Sequence, residues 1–87
     1  MPKYILVRTV GEVSEKEIEA AAVRSLATLD EMTGVRWIRS YYSAEEGKLY
    51  CEYEAPSVDL VYEHARKAQL PLDHCSVVRE LEPAMFR

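Results

Sequence analysis

What most constrains this chain is its punctuation. Turn and stop residues fall at Gly11, Thr33-Gly34, Ala44-Glu45-Glu46-Gly47, Pro56-Ser57, Leu70-Pro71 and Glu82-Pro83. Glycine supplies the positive-φ geometry of turns and helix ends, and proline removes a backbone donor, so each stop closes an element. Six segments remain, and their side-chain periods read in order as strand, helix, strand, strand, helix, strand.

The first strand spans residues 3–10. Its run Tyr4-Ile5-Leu6-Val7 is continuously apolar, as expected of a strand covered on both faces. The first helix opens at Ser14, a good N-cap, with Glu17 three residues on to complete a capping box and Val13 and Ile18 placed as a hydrophobic staple. Its inward stripe is expected to be Ile18, Ala21, Ala22, Leu26, Leu29 and Met32. Residues 35–43 and 48–55 form a hairpin. One face carries Ile38, Ser40, Tyr42, Leu49, Cys51, Tyr53 and Ala55; the other carries Trp37, Arg39, Tyr41, Lys48, Tyr50, Glu52 and Glu54. The favoured register sets Arg39 opposite Glu52 and Tyr41 opposite Tyr50. The second helix starts after Ser57, with Asp59 in its first turn and Val58, Val61, Tyr62, Ala65 and Ala68 as its stripe. Residues 74–81 are the fourth strand, and Met85 and Phe86 in the tail are expected to pack against the body.

This order predicts a single α+β domain over residues 1–87: a ferredoxin-like βαββαβ sandwich, antiparallel sheet order 4-1-3-2, helices on one face. The uncovered face would then carry Trp37, Tyr41, Tyr50, Tyr4 and Leu6, more apolar surface than a monomer usually exposes. The expected cover is a second copy, giving a homodimer of the dimeric α/β-barrel type.

Charge narrows the partners. The net charge is −4, and the eleven basic residues are interleaved with acids. Nucleic acid and anionic membranes both need a concentrated basic face, so neither is expected. No apolar run approaches the ~18–20 residues of a membrane span, and the opening residues lack the pattern of a secretory signal, so a cytoplasmic protein is expected. Two cysteines, Cys51 and Cys75, are too few for a disulfide scaffold. They lie about two strand spacings apart, near 9.5 Å, beyond disulfide reach, and Cys75 reads as core.

The chemistry-bearing residues concentrate between positions 37 and 65. Counted back from the end of its strand, Cys51 lies about 13 Å in at ~3.3 Å per residue. Counted from Ser57, His64 lies about 10 Å in at 1.5 Å per residue. The strand and helix run antiparallel, so sulfur and imidazole are expected at similar depth beneath the second helix. Such a pair suits a soft or borderline divalent metal, or a nucleophile and its base. Glu63, or Glu52, is the candidate third metal ligand. Ser40, Tyr42 and Tyr53 are expected to complete a polar ligand pocket. Each has a plainer reading too: cysteine often only fills volume, and a lone histidine beside an apolar stripe is commonly structural.

At Trp37, Ser40-Tyr41, Lys48, Tyr50-Cys51, Tyr53, Ala55-Pro56 and His64-Ala65, and in the opening Met1-Pro2-Lys3-Tyr4-Ile5 and Arg8-Thr9, the chain resembles the small nickel-binding, ferredoxin-like family of bacterial proteins. The resemblance covers nearly the whole chain. It implies a ferredoxin-like fold, a homodimer and nickel as cofactor, with Cys51 and His64 the matching positions best suited to ligate it. His74-Cys75 is not part of that pattern.

Three functions fit these residues. The first is a metal-binding protein with Cys51, His64 and Glu63 as ligands. The second is a cofactor-free oxygenase- or isomerase-like enzyme with His64 as general base and Tyr53 or Tyr42 orienting the substrate. The third is a small-ligand-binding module without chemistry.

Overall fold

A computed structural model describes residues 1–87. The elements are β1 (Lys3–Thr9), α1 (Glu15–Asp30), β2 (Arg36–Ser43), β3 (Lys48–Glu54), α2 (Val58–Lys67) and β4 (His74–Val78), followed by a 3-10 turn at Pro83–Phe86. The strands form one antiparallel sheet in the order β2-β3-β1-β4, which reads 4-1-3-2 from the β4 edge. No helix is long and apolar enough to cross a membrane.

Local rules place most of these elements. Ser14 Oγ accepts from the Glu17 N–H while the Glu17 carboxylate accepts from the Ser14 N–H, so the capping box closes at both ends. Arg39 stands opposite Glu52 and Tyr41 opposite Tyr50. Cys51 and Cys75 both pair with Leu6 from opposite sides, so a whole strand separates the two free thiols.

The core lies between the sheet and the helices. It is built from Tyr4, Leu6, Cys51, Tyr53 and Ala55 of the strands and their ends, Val61 of α2, and Val35. β1 is buried at alternate positions, Tyr4, Leu6 and Arg8. It is therefore covered on one face, not on both as its apolar run suggests. Tyr4 and Leu6 belong to the helix-covered side rather than the open one.

Trp37 changes face as well. The β2–β3 pairing slips by one residue between Trp37 and Arg39, leaving Ile38 as an extra residue. Because side chains alternate with period two, one inserted residue flips everything before it. Trp37 thus joins Ser40 and donates its indole N–H to the Ser40 hydroxyl at 2.8 Å. The open face keeps Tyr41 and Tyr50 but is crossed by ions. Lys3 bridges Glu52 and Glu80 at 2.6 Å each, Arg39 reaches Glu52 at 3.4 Å, and Arg36 pairs with Glu54 at 2.8 Å.

The helices keep most of their expected inward stripes, Ile18, Ala21, Ala22, Leu29 and Met32 on one and Val61, Ala65 and Ala68 on the other, with three exceptions. On α1 the buried residues are Ser25 and Thr28, while Leu26 is 51% exposed. On α2 they are Val61, His64 and Ala65, while Val58 and Tyr62 face outward. Polar anchors between the helices, described below, bring Ser25 and His64 inward beside the apolar residues. The tail lies on the surface, with Met85 and Phe86 exposed rather than packed, and β4 ends at Val78 where residues 74–81 were expected to be extended.

The hairpin tip locks the end of β1. The Gly47 N–H donates to Ser43 O at 2.8 Å, and the Gly47 carbonyl accepts from the N–H groups of Val10 and Gly11 at 2.9 Å each. Gly47 has φ +66°, and a Cβ there would come within 3.0 Å of the Gly11 backbone. Gly11 has φ +74° but open space around it. Gly47→Ala is therefore expected to lower stability in urea denaturation by more than ~1 kcal/mol, and by more than Gly11→Ala, which meets only the backbone penalty.

Candidate functional site

A cavity of about 330 Å³ opens between α1 and the sheet. Its helix side is made of Ile18, Ala21, Ala22 and Ser25, and its sheet side of Trp37, Ser40, Leu49, Cys51, Tyr53 and Arg8. Short alanine and serine side chains do not reach across to the strands, so the space beneath the helix stays open. Glu17, Ala20, Arg24 and Pro71 are exposed residues at its rim.

Polar contacts hold α1 over this chamber. Ser25 Oγ lies 3.3 Å from the Tyr53 hydroxyl and 3.2 Å from Nε2 of His64. Arg24 Nε donates to the carbonyl of Ala68 at the end of α2, at 3.1 Å. The His64 ring packs against Tyr53 with centroids 5.3 Å apart. One serine thus joins α1, α2 and β3.

Of the residues expected at a metal or ligand site, Cys51, Tyr53 and Ser40 line the chamber. His64 does not: it is fully buried behind Ser25 and Tyr53. No hydrogen bond joins Cys51 to His64, whose Nε2 contacts Ser25 instead. Glu63, one residue along α2, turns to the surface and pairs with Lys67 at 3.6 Å, since neighbouring helix residues point about 100° apart. Glu52, the other candidate third ligand, is on the open face with Lys3. No three His, Cys, Asp or Glu side chains are grouped so as to hold a metal ion. Tyr42 stands at the margin, its hydroxyl donating to Gly11 O and accepting from the Val13 N–H, both at 3.2 Å.

The sequence reading overlooked two residues that dominate the chamber, Arg8 and Ser25. Arg8 is 1% exposed. Its Nη1 donates to the Pro71 carbonyl at 2.7 Å, and its guanidinium lies 5.8 Å from the centre of the Tyr53 ring, within cation–π range. Its Nη2 is buried without a hydrogen-bond partner. No carboxylate pairs with it; Glu17, which shares the lining, is committed to its capping box. Both residues had a legible signal. Arg8 is in phase with Tyr4 and Leu6 at every second position, and Ser25 is four residues from both Ala21 and Leu29.

The family model described as nickel responsive protein SCO4226-like matches residues 4–78. The chain belongs to that family. In fold it is similar to SCO4226 from Streptomyces coelicolor A3(2), whose crystal structure matches with a TM-score of 0.80 at 21% identity, over 92% of this chain and 99% of that one. Among the curated proteins nothing matches.

In this member of the nickel-responsive family the histidine is held neutral. Burial lowers the His64 pKa; its hydrogen bond to Ser25 opposes the shift and the nearby Arg8 charge adds to it. Nε2 also faces the Ser25 carbonyl at 3.4 Å. A carbonyl only accepts, so Nε2 carries the proton and Nδ1 presents a lone pair. Nδ1 is buried and unpartnered. Burial also raises the Tyr53 phenol, with Ser25 and Arg8 offsetting part of the shift.

The lowered His64 value fixes a pH dependence. The unfolded ring titrates near its ordinary 6.5, so below that pH the unfolded chain binds the proton more readily than the folded one. Stability is full above about 6.5 and falls as pH drops toward the folded value. Urea melts of the wild type are expected to weaken from pH 7.5 to 5.5, and His64→Asn to remove that part of the slope.

Proposed function

We propose that this member of the nickel-responsive family is a ferredoxin-like binding protein whose ligand is a small molecule held in the chamber beneath α1. The supporting observation is the chamber itself. Its volume falls at the lower end of small-molecule sites, and its walls are mostly apolar with a few polar groups, Arg8, Ser25, Ser40, Cys51 and Tyr53, to orient a guest. The catalytic alternative has less support. His64 does not reach the chamber, its Nε2 proton is committed to Ser25, and no hydrogen bond joins it to Cys51.

The metal reading has one specific observation in its favour. His64 Nδ1 is a free lone pair on a neutral imidazole, the form that binds first-row metals, and the family is described as nickel responsive. On this reading His64 and Cys51 are the protein donors, and Glu63 stays with Lys67. Against it stands the Arg8 guanidinium, whose charge disfavours a second cation in a low-dielectric interior.

Two measurements separate these readings. Untagged wild type, Cys51→Ala, His64→Gln and Glu63→Gln are dialysed against nickel and their metal content compared. The chamber reading expects equal content in all four; loss in both Cys51→Ala and His64→Gln establishes the metal reading instead. In parallel, 1-octanol is titrated while emission from Trp37, the only tryptophan, is followed. A saturable change in the wild type that Ala22→Phe abolishes is expected, because phenylalanine would fill the space under α1.

A further inference from the structure

We infer that the chamber selects a small apolar monoanion, a carboxylate with a hydrocarbon body, and that Arg8 is the residue that recognises it. The inference rests on the chamber being a ligand site and adds the chemistry of the ligand.

Charge is the first ground. Arginine keeps its proton inside proteins, so Arg8 brings one full positive charge into the chamber wall. Buried charges are ordinarily paired. Here the carbonyl of Pro71 and the face of Tyr53 are dipolar partners only, and no carboxylate of the chain reaches the group. The other two charges of the lining, Arg24 and Glu17, are exposed at the rim and opposite in sign, so the net charge of the wall is that of Arg8. One uncompensated charge calls for one negative charge; a dianion would leave the excess reversed.

Geometry is the second ground. Nη2 is buried and has no acceptor, so its N–H bonds are available to a ligand oxygen. A carboxylate meets a guanidinium through short, charge-assisted hydrogen bonds. The Ser40 hydroxyl shares the lining, accepts from the Trp37 indole and keeps its own proton to donate.

The apolar lining decides the rest of the ligand. Ile18, Ala21, Ala22, Leu49 and Leu70 offer hydrocarbon contact and no hydrogen bonds from their side chains. Strongly hydrated inorganic anions would lose their water shell there without replacement. A volume of 330 Å³ holds roughly ten water-sized groups, at about 30 Å³ each. That suits a medium-chain or single-ring carboxylic acid.

The test compares octanoate with 1-octanol on the intact protein, by calorimetry and by Trp37 emission. Octanoate is expected to bind at least about tenfold tighter, the increment of a hydrogen bond to a charged group. Arg8→Met is expected to abolish that preference while leaving octanol binding in place. Equal affinity of the two probes for the wild type would overturn the anion selectivity and leave the chamber reading standing, with Arg8 satisfied by water. No binding of either probe would overturn both. Should Arg8→Met fail to fold, the wild-type comparison and the loss of octanoate binding in Ala22→Phe carry the same decision.

Discussion

The three-way contact of Ser25 with His64 and Tyr53 is the joint on which the upper layer of this fold depends. A helix laid on a sheet normally settles through interlocking apolar side chains. Here α1 packs Leu29 on the core but offers the chamber Ile18, alanines and a serine, and Leu26, the largest side chain of the expected stripe between Ile18 and Leu29, faces out. The hydroxyl of Ser25 supplies the fixed point, reaching a ring nitrogen from α2 and a phenol from β3. In a low-dielectric interior such a contact is strong when satisfied and costly when broken. It fixes the rotation of α1, holds His64 in one tautomer, and leaves the space next to it unfilled. The chamber follows from a polar joint having replaced an apolar one.

The same substitution of polar for apolar explains which parts of the structure were legible in the sequence. Features governed by local rules were readable: the capping box at Ser14 and Glu17, the pairing of Arg39 with Glu52, and the stops at Gly34 and Pro56. Features governed by a single inserted residue or a long-range hydrogen bond were not. Nothing in Trp37-Ile38-Arg39 announces a bulge, yet it moves the tryptophan from the open face into the chamber wall. The expected stripe of Ile18, Ala21, Ala22, Leu29 and Met32 does face inward, but Leu26 does not, and Ser25 is buried instead, opposite His64. Depth counting placed Cys51 and His64 both inside the helix-covered layer. It carried no lateral information: Cys51 lines the chamber, while the His64 ring packs on Tyr53 and lies outside the lining.

Arg8 shows how a charged residue can be misread when only apolar runs are followed. Its strand neighbours Tyr4 and Leu6 are core, and alternation carries Arg8 inward with them. A protein gains little stability from an unpaired buried guanidinium; replacing buried charges by hydrocarbon of similar size is often neutral or stabilising. Retaining such a group against its desolvation cost is easier to understand where the charge meets a partner that arrives from outside.

That electrostatic sign also bears on how a nickel-responsive protein of this architecture would handle a metal. A divalent cation approaching Cys51 through the chamber would meet the Arg8 charge in surroundings that screen it poorly, and His64 is not among the residues that line the chamber. Burial lowers the His64 pKa, and the only carboxylate in the chamber lining, Glu17, is bound into a helix cap. Arg24 and Glu17, of opposite sign, stand exposed at the rim, and Arg8 is the one charge of the lining that is buried. The chamber therefore presents a buried cationic side chain at the place where the sequence suggests a metal cation. The family likeness fixes the fold, and the side chains within that fold decide the sign of what enters it.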